Sequence, residues 1–85
     1  MEYAELIRNY IIDNFLFEDD PNLKEDTSFL ENGIVDSTGI MELVAFVEKT
    51  FDIRVEDEEL VPENFDSISA IADYLERKRN GHQVN

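Results

Sequence analysis

Apolar residues recur at helical spacing in three parts of the chain, and each set forms one stripe along a helix of about 3.6 residues per turn. The first part runs from about Tyr3 to Leu16, the second from Asp36 or Ser37 to near Phe51, and the third opens at Asp66 or Ser67. The stripes are Tyr3, Leu6, Ile7, Tyr10, Ile11 and Phe15; Ile40, Leu43, Val44, Val47 and Phe51; and Ile68, Ile71, Ala72 and Leu75. The pattern predicts three main helices.

A long acidic connection separates the first two predicted helices, and Pro21 and the Asn32-Gly33 pair interrupt it. Apolar residues scattered through it suggest a loop pinned onto the core: Leu23, Phe29, Leu30, Ile34 and Val35. After the second helix we expect a short helical turn from Asp57 to Val61, stopped by Pro62. The predicted fold class is therefore all-α: a small four-helix bundle with three main helices, one short third helix and a long loop between helices 1 and 2.

The length of 85 residues fits one small domain. We assign residues 1–79 to this domain and residues 80–85 to a flexible C-terminal tail. A domain of this size buries only about 60–65% of the surface that its unfolded chain exposes, so it has little room for a deep catalytic pocket. The chain contains no cysteine, which excludes disulfides, thiolate metal sites and cysteine nucleophiles.

The charge balance is strongly acidic, with 21 acidic residues against 7 basic ones and a formal net charge of −14. Such a surface repels nucleic acid and anionic lipid and favours partners with basic patches. Simple solubility would explain the charge equally well. No segment has the composition of a signal peptide or a membrane span. We expect a cytoplasmic monomer with no nucleic-acid or membrane partner.

The sequence comes closest to a metal-binding motif in a stretch that partly matches a calcium-binding loop. Counted from Asp20, the first, third and twelfth positions hold oxygen ligands: Asp20, Asn22 and Glu31. The fifth position is Lys24, and the sixth, where the turn requires glycine, is Glu25. These two departures argue against a specific site, so we predict no metal ligand.

No residue pattern indicates catalysis. The only histidine in the sequence, His82, lies in the predicted tail, so there is no second histidine to act as a base for Ser37. The acidic run from Glu56 to Leu60 is interpreted as a solvated face that also supplies negative charge to a helix N-terminus. We predict no catalytic residue.

An Asp-Ser pair stands where a glycine-containing turn meets the second helix. Asp36 alone could cap this helix, so the presence of Ser37 directly after it needs an explanation. No capping box forms, because the residue three positions after Ser37 is Ile40. Ser37 could instead carry a phosphoryl-linked group, which the free N–H groups and dipole of a helix start would stabilise. Residue types alone leave both interpretations open.

The segments "GIVDSTGIMELVAFVEKTFDIRVEDEEL" and "FDSISAIADYL" resemble the acyl carrier protein family, which includes peptidyl and aminoacyl carriers. The resemblance covers roughly Tyr3 to Arg79. It rests on an ordered set of features: the Asp-Ser pair after a glycine-containing loop, a Glu-Leu pair at 42–43, Phe51 closing the second helix, and an acidic third segment.

The resemblance implies a four-helix bundle that carries intermediates on a 4′-phosphopantetheine arm. A phosphopantetheinyl transferase would move this arm from coenzyme A onto Ser37, with Asp36 fitting the helix start. The thiol of the arm would hold an acyl or aminoacyl group as a thioester. The protein would present this cargo without being an enzyme itself. Its partners would be a loading ligase and downstream biosynthetic enzymes with basic docking patches.

Two positions depart from the family pattern. The residue after the serine is commonly leucine and here is Thr38, and the next is often acidic and here is Gly39. Both are expected on the surface that partner enzymes touch, which favours a dedicated biosynthetic carrier over the housekeeping carrier of fatty-acid synthesis. The expected partner-binding residues are Thr38, Met41, Glu42 and Glu48. Two alternatives are a calcium-responsive helical regulator and an acidic protein-interaction module without a prosthetic group.

Overall fold

Helices form all the regular structure in the parts of the chain that the computed structural model describes, residues 3–16 and 23–79. In chain order they are α1 (Tyr3–Ile11) with a π-helical turn (Ile12–Leu16), α2 (Ser37–Phe51), a 3₁₀ turn (Asp57–Glu59), α3 (Pro62–Phe65) and α4 (Ile68–Arg79). The predicted all-α bundle, with three main helices and a short third one, is confirmed.

The first predicted helix ends in a widened turn. Regular α-helical geometry stops at Ile11, and the π-helical turn continues as far as Leu16. Within this turn the Asn14 side chain donates a hydrogen bond of 2.9 Å to the backbone carbonyl of Tyr10. Asparagine side chains compete in this way with regular backbone hydrogen bonding. The chain therefore leaves α1 through a turn that brings Phe15 towards the start of α2.

Helix α2 has the bounds that the sequence predicts, and its C-terminal end is held by another helix. The residue after Phe51, Asp52, adopts a left-handed conformation with φ of 55°. The guanidinium of Arg79, at the end of α4, donates to the carbonyl of Phe51 over 2.7 Å. This bond satisfies one of the carbonyls that a helix end leaves without an intrahelical donor.

One apolar cluster forms the core, and it draws on the loop before α2 as well as on the helices. Leu6, which belongs to the first predicted stripe, is exposed at 39% and does not lie on the buried face of α1. Five other residues of the predicted stripes are only half-buried: Tyr3, Tyr10, Phe15, Ile40 and Ala72. The buried apolar residues are Ile7, Ile11, Leu23, Phe29, Val35, Leu43, Val44, Val47, Phe51, Val55, Phe65, Ile68, Ile71, Tyr74 and Leu75.

The loop before α2 is fixed to the junction between α3 and α4, as the scattered apolar residues predict. Asp66 accepts hydrogen bonds from the backbone amide of Leu30 over 2.9 Å and from the hydroxyl of Ser28. The amide of Phe29 donates to the Asp66 carbonyl over 2.8 Å. The amide of Ser69 donates to the carbonyl of Glu25 over 2.7 Å. These bonds satisfy polar backbone groups beside the buried Phe29 ring.

The expectation that Pro62 ends a helical turn is wrong, because Pro62 begins α3 instead. A proline lacks a backbone N–H, and the first residues of a helix have no intrahelical acceptor for that group, so proline is well tolerated there. The predicted turn from Asp57 to Val61 is shorter than expected and is the 3₁₀ turn that ends at Glu59.

The expectation that the acidic run is a solvated face is also wrong at one residue, because Glu59 is 4% exposed. Its Oε1 accepts hydrogen bonds from Lys78 Nζ over 2.7 Å, from the Tyr74 hydroxyl over 3.0 Å and from the Glu56 amide over 2.9 Å. Glu59 therefore ties the segment before α3 to α4.

Candidate functional site at the start of helix α2

Asp36 and Ser37 have separate roles at the start of α2. Asp36 is the residue before the helix, and its Oδ1 accepts a hydrogen bond from the Gly39 amide over 2.8 Å. Ser37 is the first helical residue and is exposed. Among the residues that the structure describes, its hydroxyl has no hydrogen-bond partner. Because Asp36 alone caps the helix, the Ser37 hydroxyl is available for chemistry.

The electrostatics of this helix start favour an anion on Ser37. Helix α2 is 15 residues long, and its first turn contains no acidic residue. Amides in the first turn of a helix lack intrahelical acceptors, and the helix dipole places partial positive charge there. The negative carboxylate of Asp36 partly neutralises this positive charge, but its Oδ1 accepts a hydrogen bond from the Gly39 amide alone among the described residues. A phosphodiester on Ser37 would therefore lie near free backbone donors.

An apolar groove of about 170 Å³ opens beside Ser37. Two of its apolar residues are unusually exposed: Leu30 at 41% and Val61 at 37%. Its walls come from α2, the loop and the α3 segment, and they consist of Ser37, Ile40, Leu30, Leu60, Val61, Pro62, Phe65 and Asp66. The groove could shelter an apolar portion of a group attached to Ser37.

A second cavity, of about 320 Å³, lies on another side of the helix start and has more polar walls. Its lining residues are Phe15, Gly33, Ile34, Asp36, Thr38, Gly39 and Glu42. Gly39 is buried there, so the expectation that it lies on the surface that partners touch is wrong. Gly39 is buried because the side chains of Val35 and Phe15 pack against it.

Three of the four expected partner-binding residues lie exposed along α2 close to Ser37: Thr38, Met41 and Glu42. Met41 is 55% exposed, so it is not a core residue. The Tyr10 hydroxyl donates to the backbone carbonyl of Glu42 over 3.4 Å. Burial and, second, the negative charge of Glu42 raise the pKa of Tyr10. Tyr10 therefore stays protonated and keeps this donor.

Glu48 differs from the other three expected partner-binding residues. It is half-buried, and its Oε2 accepts a hydrogen bond of 2.9 Å from the backbone amide of Val55. It follows Ser37 by 11 residues, which is about 16 Å along a helix with a rise of 1.5 Å per residue. Its carboxylate already supports the segment after α2, so replacing Glu48 with lysine would disturb the fold as well as the surface charge.

Two features of the sequence lie wholly or partly outside the described residues. Asp20 and Asn22 of the calcium-like loop are outside them, and so are His82 and the tail from 80 to 85. Over residues 3–16 and 23–79, no group of three or more His, Cys, Asp or Glu side chains is placed to hold a metal ion. In the same ranges, no helix is both long and apolar enough to cross a bilayer.

Asp66 and Phe15 are the site residues that sequence patterns do not reveal. Asp66 precedes Ser67 at a helix start, and so it has the sequence signature of an ordinary capping residue. In the structure it fixes Leu30 on one wall of the groove beside Ser37. Phe15 belongs to the stripe of the first predicted helix, and its contact with Gly39 arises only from the tertiary fold. A glycine inside an otherwise helical pattern was the one local signal of this close approach.

Comparison with known proteins gives consistent results along the chain. The family model described as "Phosphopantetheine attachment site" matches residues 5–75. The acyl carrier protein of Akkermansia muciniphila is 36% identical over 73 residues, which cover 86% of this chain and 88% of that protein. The D-alanyl carrier protein of Streptococcus gordonii is 32% identical over 77 residues, which cover 91% of this chain and 94% of that protein.

A solved structure is also similar. One chain of a crystal structure described as that of an FAD-dependent dehydrogenase superposes with a TM-score of 0.70 and 25% sequence identity. The match covers 81% of this chain and 97% of that chain, so the two chains have comparable lengths.

Proposed function

The chain belongs to the family of carrier proteins that bear a covalent 4′-phosphopantetheine group, and we propose that Ser37 is the residue to which this group is attached. The observation that supports the proposal is that two adjacent residues have separate roles at the start of α2. Asp36 caps the helix, while Ser37 lies exposed at its first position with its hydroxyl unengaged in the described structure.

The attachment reaction would require only a nucleophilic hydroxyl from this chain. The Ser37 oxygen forms a bond to the phosphorus on the pantetheine side of coenzyme A. The bond from that phosphorus to the rest of the nucleotide breaks, and adenosine bisphosphate leaves. The transferase supplies the base that accepts the serine proton. The product is a phosphodiester, whose negative charge is favoured at a helix N-terminus.

Once attached, the arm supplies a thiol that holds the cargo as a thioester, which a chain without cysteine could not otherwise do. We propose that the protein is not an enzyme and that it presents this cargo to separate loading and biosynthetic enzymes. We propose that the carrier domain spans residues 1–79; the end of α4 at Arg79, a residue that still supports α2, favours the C-terminal bound. Family membership favours this function over the calcium-regulated and cofactor-free alternatives.

We propose that partner enzymes dock on the exposed side of the first turns of α2, through Thr38, Met41 and Glu42. Met41 is a large apolar residue that is 55% exposed, and methionine adapts readily to different contact surfaces. Glu42 adds negative charge, which speeds association with basic partners. Glu48 would extend this surface towards the end of α2, although its carboxylate also holds Val55.

Replacing Met41 with alanine should weaken docking without weakening the fold. We expect the KM of the carrier for a phosphopantetheinyl transferase to rise about fivefold, equivalent to about 1 kcal/mol of contact energy. The free energy of unfolding should change by less than about 0.5 kcal/mol, because the side chain is exposed. Steady-state kinetics followed by intact mass, together with a thermal melt, measure both quantities.

Leu6→Ala is the matched control for this experiment. Leu6 is also an exposed apolar residue, at 39%, but it lies on α1. Its replacement should leave the KM unchanged. A loss of stability of about 2 kcal/mol or more in Met41→Ala would mark a core residue, and equal KM values for the two variants would place docking elsewhere.

We propose further that the protein is a dedicated carrier and not the housekeeping carrier of fatty-acid synthesis. The supporting observations are the exposed Thr38 next to Ser37 and the likeness to D-alanyl carriers as well as acyl carriers. An adenylate-forming ligase would load an acyl or aminoacyl group. The likeness to a chain in the structure described as an FAD-dependent dehydrogenase makes flavin-dependent oxidation of the tethered group a candidate for a later step. Dependence on coenzyme A and an adenylate-forming ligase points to the cytoplasm.

A loading assay tests the dedicated role. The phosphopantetheine form should accept malonyl groups from a fatty-acid malonyl transferase at least about tenfold more slowly than the Akkermansia muciniphila acyl carrier protein does, a difference of about 1.4 kcal/mol. A parallel assay measures aminoacyl loading with the D-alanine ligase that serves the Streptococcus carrier. Malonyl loading at the rate of the acyl carrier protein would contradict the dedicated role, while leaving attachment at Ser37 intact.

A further inference from the structure

Gly39 lies in the first turn of α2 where no side chain fits. A Cβ atom built on it would be 2.8 Å from Val35 Cγ1, 2.9 Å from Phe15 Cε1 and 3.3 Å from Asp36 Oδ1. Ordinary van der Waals contacts of a Cβ begin at about 3.4 Å. Glycine is unfavourable within a helix compared with alanine, so its presence here is explained by this close approach.

Phe15 reaches Gly39 from a different part of the fold. It lies in the π-helical turn after α1, and π-helical turns frequently occur at functional sites. Its ring also packs edge-on against Tyr10, with ring centroids 6.0 Å apart. Tyr10 in turn stacks on Phe46 of α2 at 4.0 Å. These contacts hold Phe15 over the first turn of α2 and occupy the space that a side chain at position 39 would need.

Two of the three atoms around the built Cβ belong to the residues directly before Ser37, Val35 and Asp36. Val35 is buried and adjoins Asp36, so it cannot move far without shifting the residue that caps the helix. The carboxylate of Asp36 is itself one of the three contacts. A side chain at position 39 would therefore displace the cap, and Ser37 lies directly after the cap in the chain.

We propose that Gly39 is a positioning residue for the modification of Ser37, and that Phe15 is its counterpart in the π-helical turn after α1. The inference rests on the proposed function of Ser37 as the attachment site. Gly39 need not touch the transferase, since it is buried beneath the surface that carries Ser37. Its role is to let Val35, Asp36 and Phe15 close together so that the serine oxygen is held where the transferase requires it. Displacements of about 1 Å can cost a reaction a hundredfold in rate.

The test is the rate of phosphopantetheine transfer to Gly39→Ala, with coenzyme A, magnesium and a broad-specificity transferase. We expect kcat to fall about tenfold to a hundredfold, because the hydroxyl is displaced. The KM for the carrier should stay near that of the wild type, because the docking residues remain exposed. Ala45→Gly is the matched control. It makes the reverse exchange at an exposed position of the same helix, so it measures the backbone effect of glycine and should leave kcat unchanged.

Phe15→Leu combined with Gly39→Ala provides the rescue. Shortening the ring removes the contact with Phe15 Cε1, so this double variant should recover at least about half of the lost rate on a logarithmic scale, as expected for residues in direct contact. If Gly39→Ala alone does not fold, the double variant is compared with Phe15→Leu instead, and it should still be the slower of the two.

Three results would overturn the inference. One is wild-type kcat in a folded Gly39→Ala chain, with or without a lower melting temperature, since this would make the role purely structural. Another is a loss of kcat that Phe15→Leu does not relieve. The third, if the single variant does not fold, is a double variant as fast as Phe15→Leu. Failure of the wild-type chain to gain any phosphopantetheine would instead contradict the attachment site, so the two failures are distinguishable.

Discussion

Replacing Ser37 with alanine should abolish the gain of one phosphopantetheine while leaving the fold intact. The hydroxyl is the proposed nucleophile, so its removal leaves no oxygen to form the phosphodiester. Its loss should change the free energy of unfolding by less than about 0.5 kcal/mol, because Ser37 is exposed and Asp36 alone caps α2. Intact mass after incubation with coenzyme A, magnesium and a transferase gives the first result, and a thermal melt gives the second.

Ser67→Ala is a reciprocal control. Ser67 also stands at a helix start, but its Oγ accepts a hydrogen bond of 3.1 Å from the Ala70 amide and so caps α4. Its replacement should cost about 1 kcal/mol of stability and leave modification unaffected. The two variants should therefore give opposite results: Ser37→Ala loses the modification and keeps its stability, whereas Ser67→Ala keeps the modification and loses stability. An alanine variant at position 37 that still gains the arm would contradict the assignment.

Replacing Glu59 with alanine should have the largest effect on stability, about 3 kcal/mol. The change removes the acceptor of both Lys78 and the buried hydroxyl of Tyr74. Breaking a buried ion pair by removing one partner typically costs about 3–5 kcal/mol. The lower end applies because the Lys78 side chain is 22% exposed and can regain water. Denaturant unfolding of the variant and the wild type measures the difference.

Glu58→Ala is the matched control for Glu59, since Glu58 is the exposed neighbour in the same 3₁₀ turn. Its replacement should change the free energy of unfolding by less than about 0.5 kcal/mol. Equal stabilities of the two variants would show that the hydrogen bonds of Glu59 contribute nothing to the folded state.

The hydrogen bonds of Glu59 with Lys78 and Tyr74 predict that the stability of the fold depends on pH. Burial raises the pKa of Glu59, but hydrogen bonds from Lys78, the Glu56 amide and Tyr74 outweigh it, so the pKa lies below the usual 4.5. Burial and the bond to Glu59 raise the pKa of Tyr74, which keeps that hydroxyl protonated as a donor. The folded state binds the Glu59 proton less tightly than the unfolded chain does. The stabilisation is therefore complete above the unfolded pKa and is lost as the pH falls through the folded one. Glu59→Gln should flatten this decline.

Local sequence patterns predicted the parts of the fold that depend on one segment. The apolar stripe from Ile40 to Phe51 gave the extent of α2, because one buried face of a helix repeats every three or four residues. The Asp36-Ser37 pair marked its start, because short polar side chains accept hydrogen bonds from the first turn. The position of the candidate site was predictable for the same reason, since the cap and the proposed attachment point are adjacent in the chain.

The features that the sequence did not predict depend on distant residues. Glu59 is buried because its partners Tyr74 and Lys78 lie 15 and 19 positions further along the chain. Gly39 is enclosed because α1 ends in a widened turn that carries Phe15 to it. Neither contact has a signature in the local pattern of polar and apolar residues. A charged residue in an acidic run therefore looks solvated, and a glycine in a helix looks only unfavourable.

Localisation of the phosphopantetheine group within the modified chain tests the central claim most directly. The wild-type protein would be modified with coenzyme A and a transferase and then fragmented in a mass spectrometer to find the residue that carries the added mass. The predicted result is one group per chain, on Ser37. Attachment to any other hydroxyl, such as Thr38 in the same turn or Ser67 at the start of α4, would contradict the account, as would a chain that gains no group.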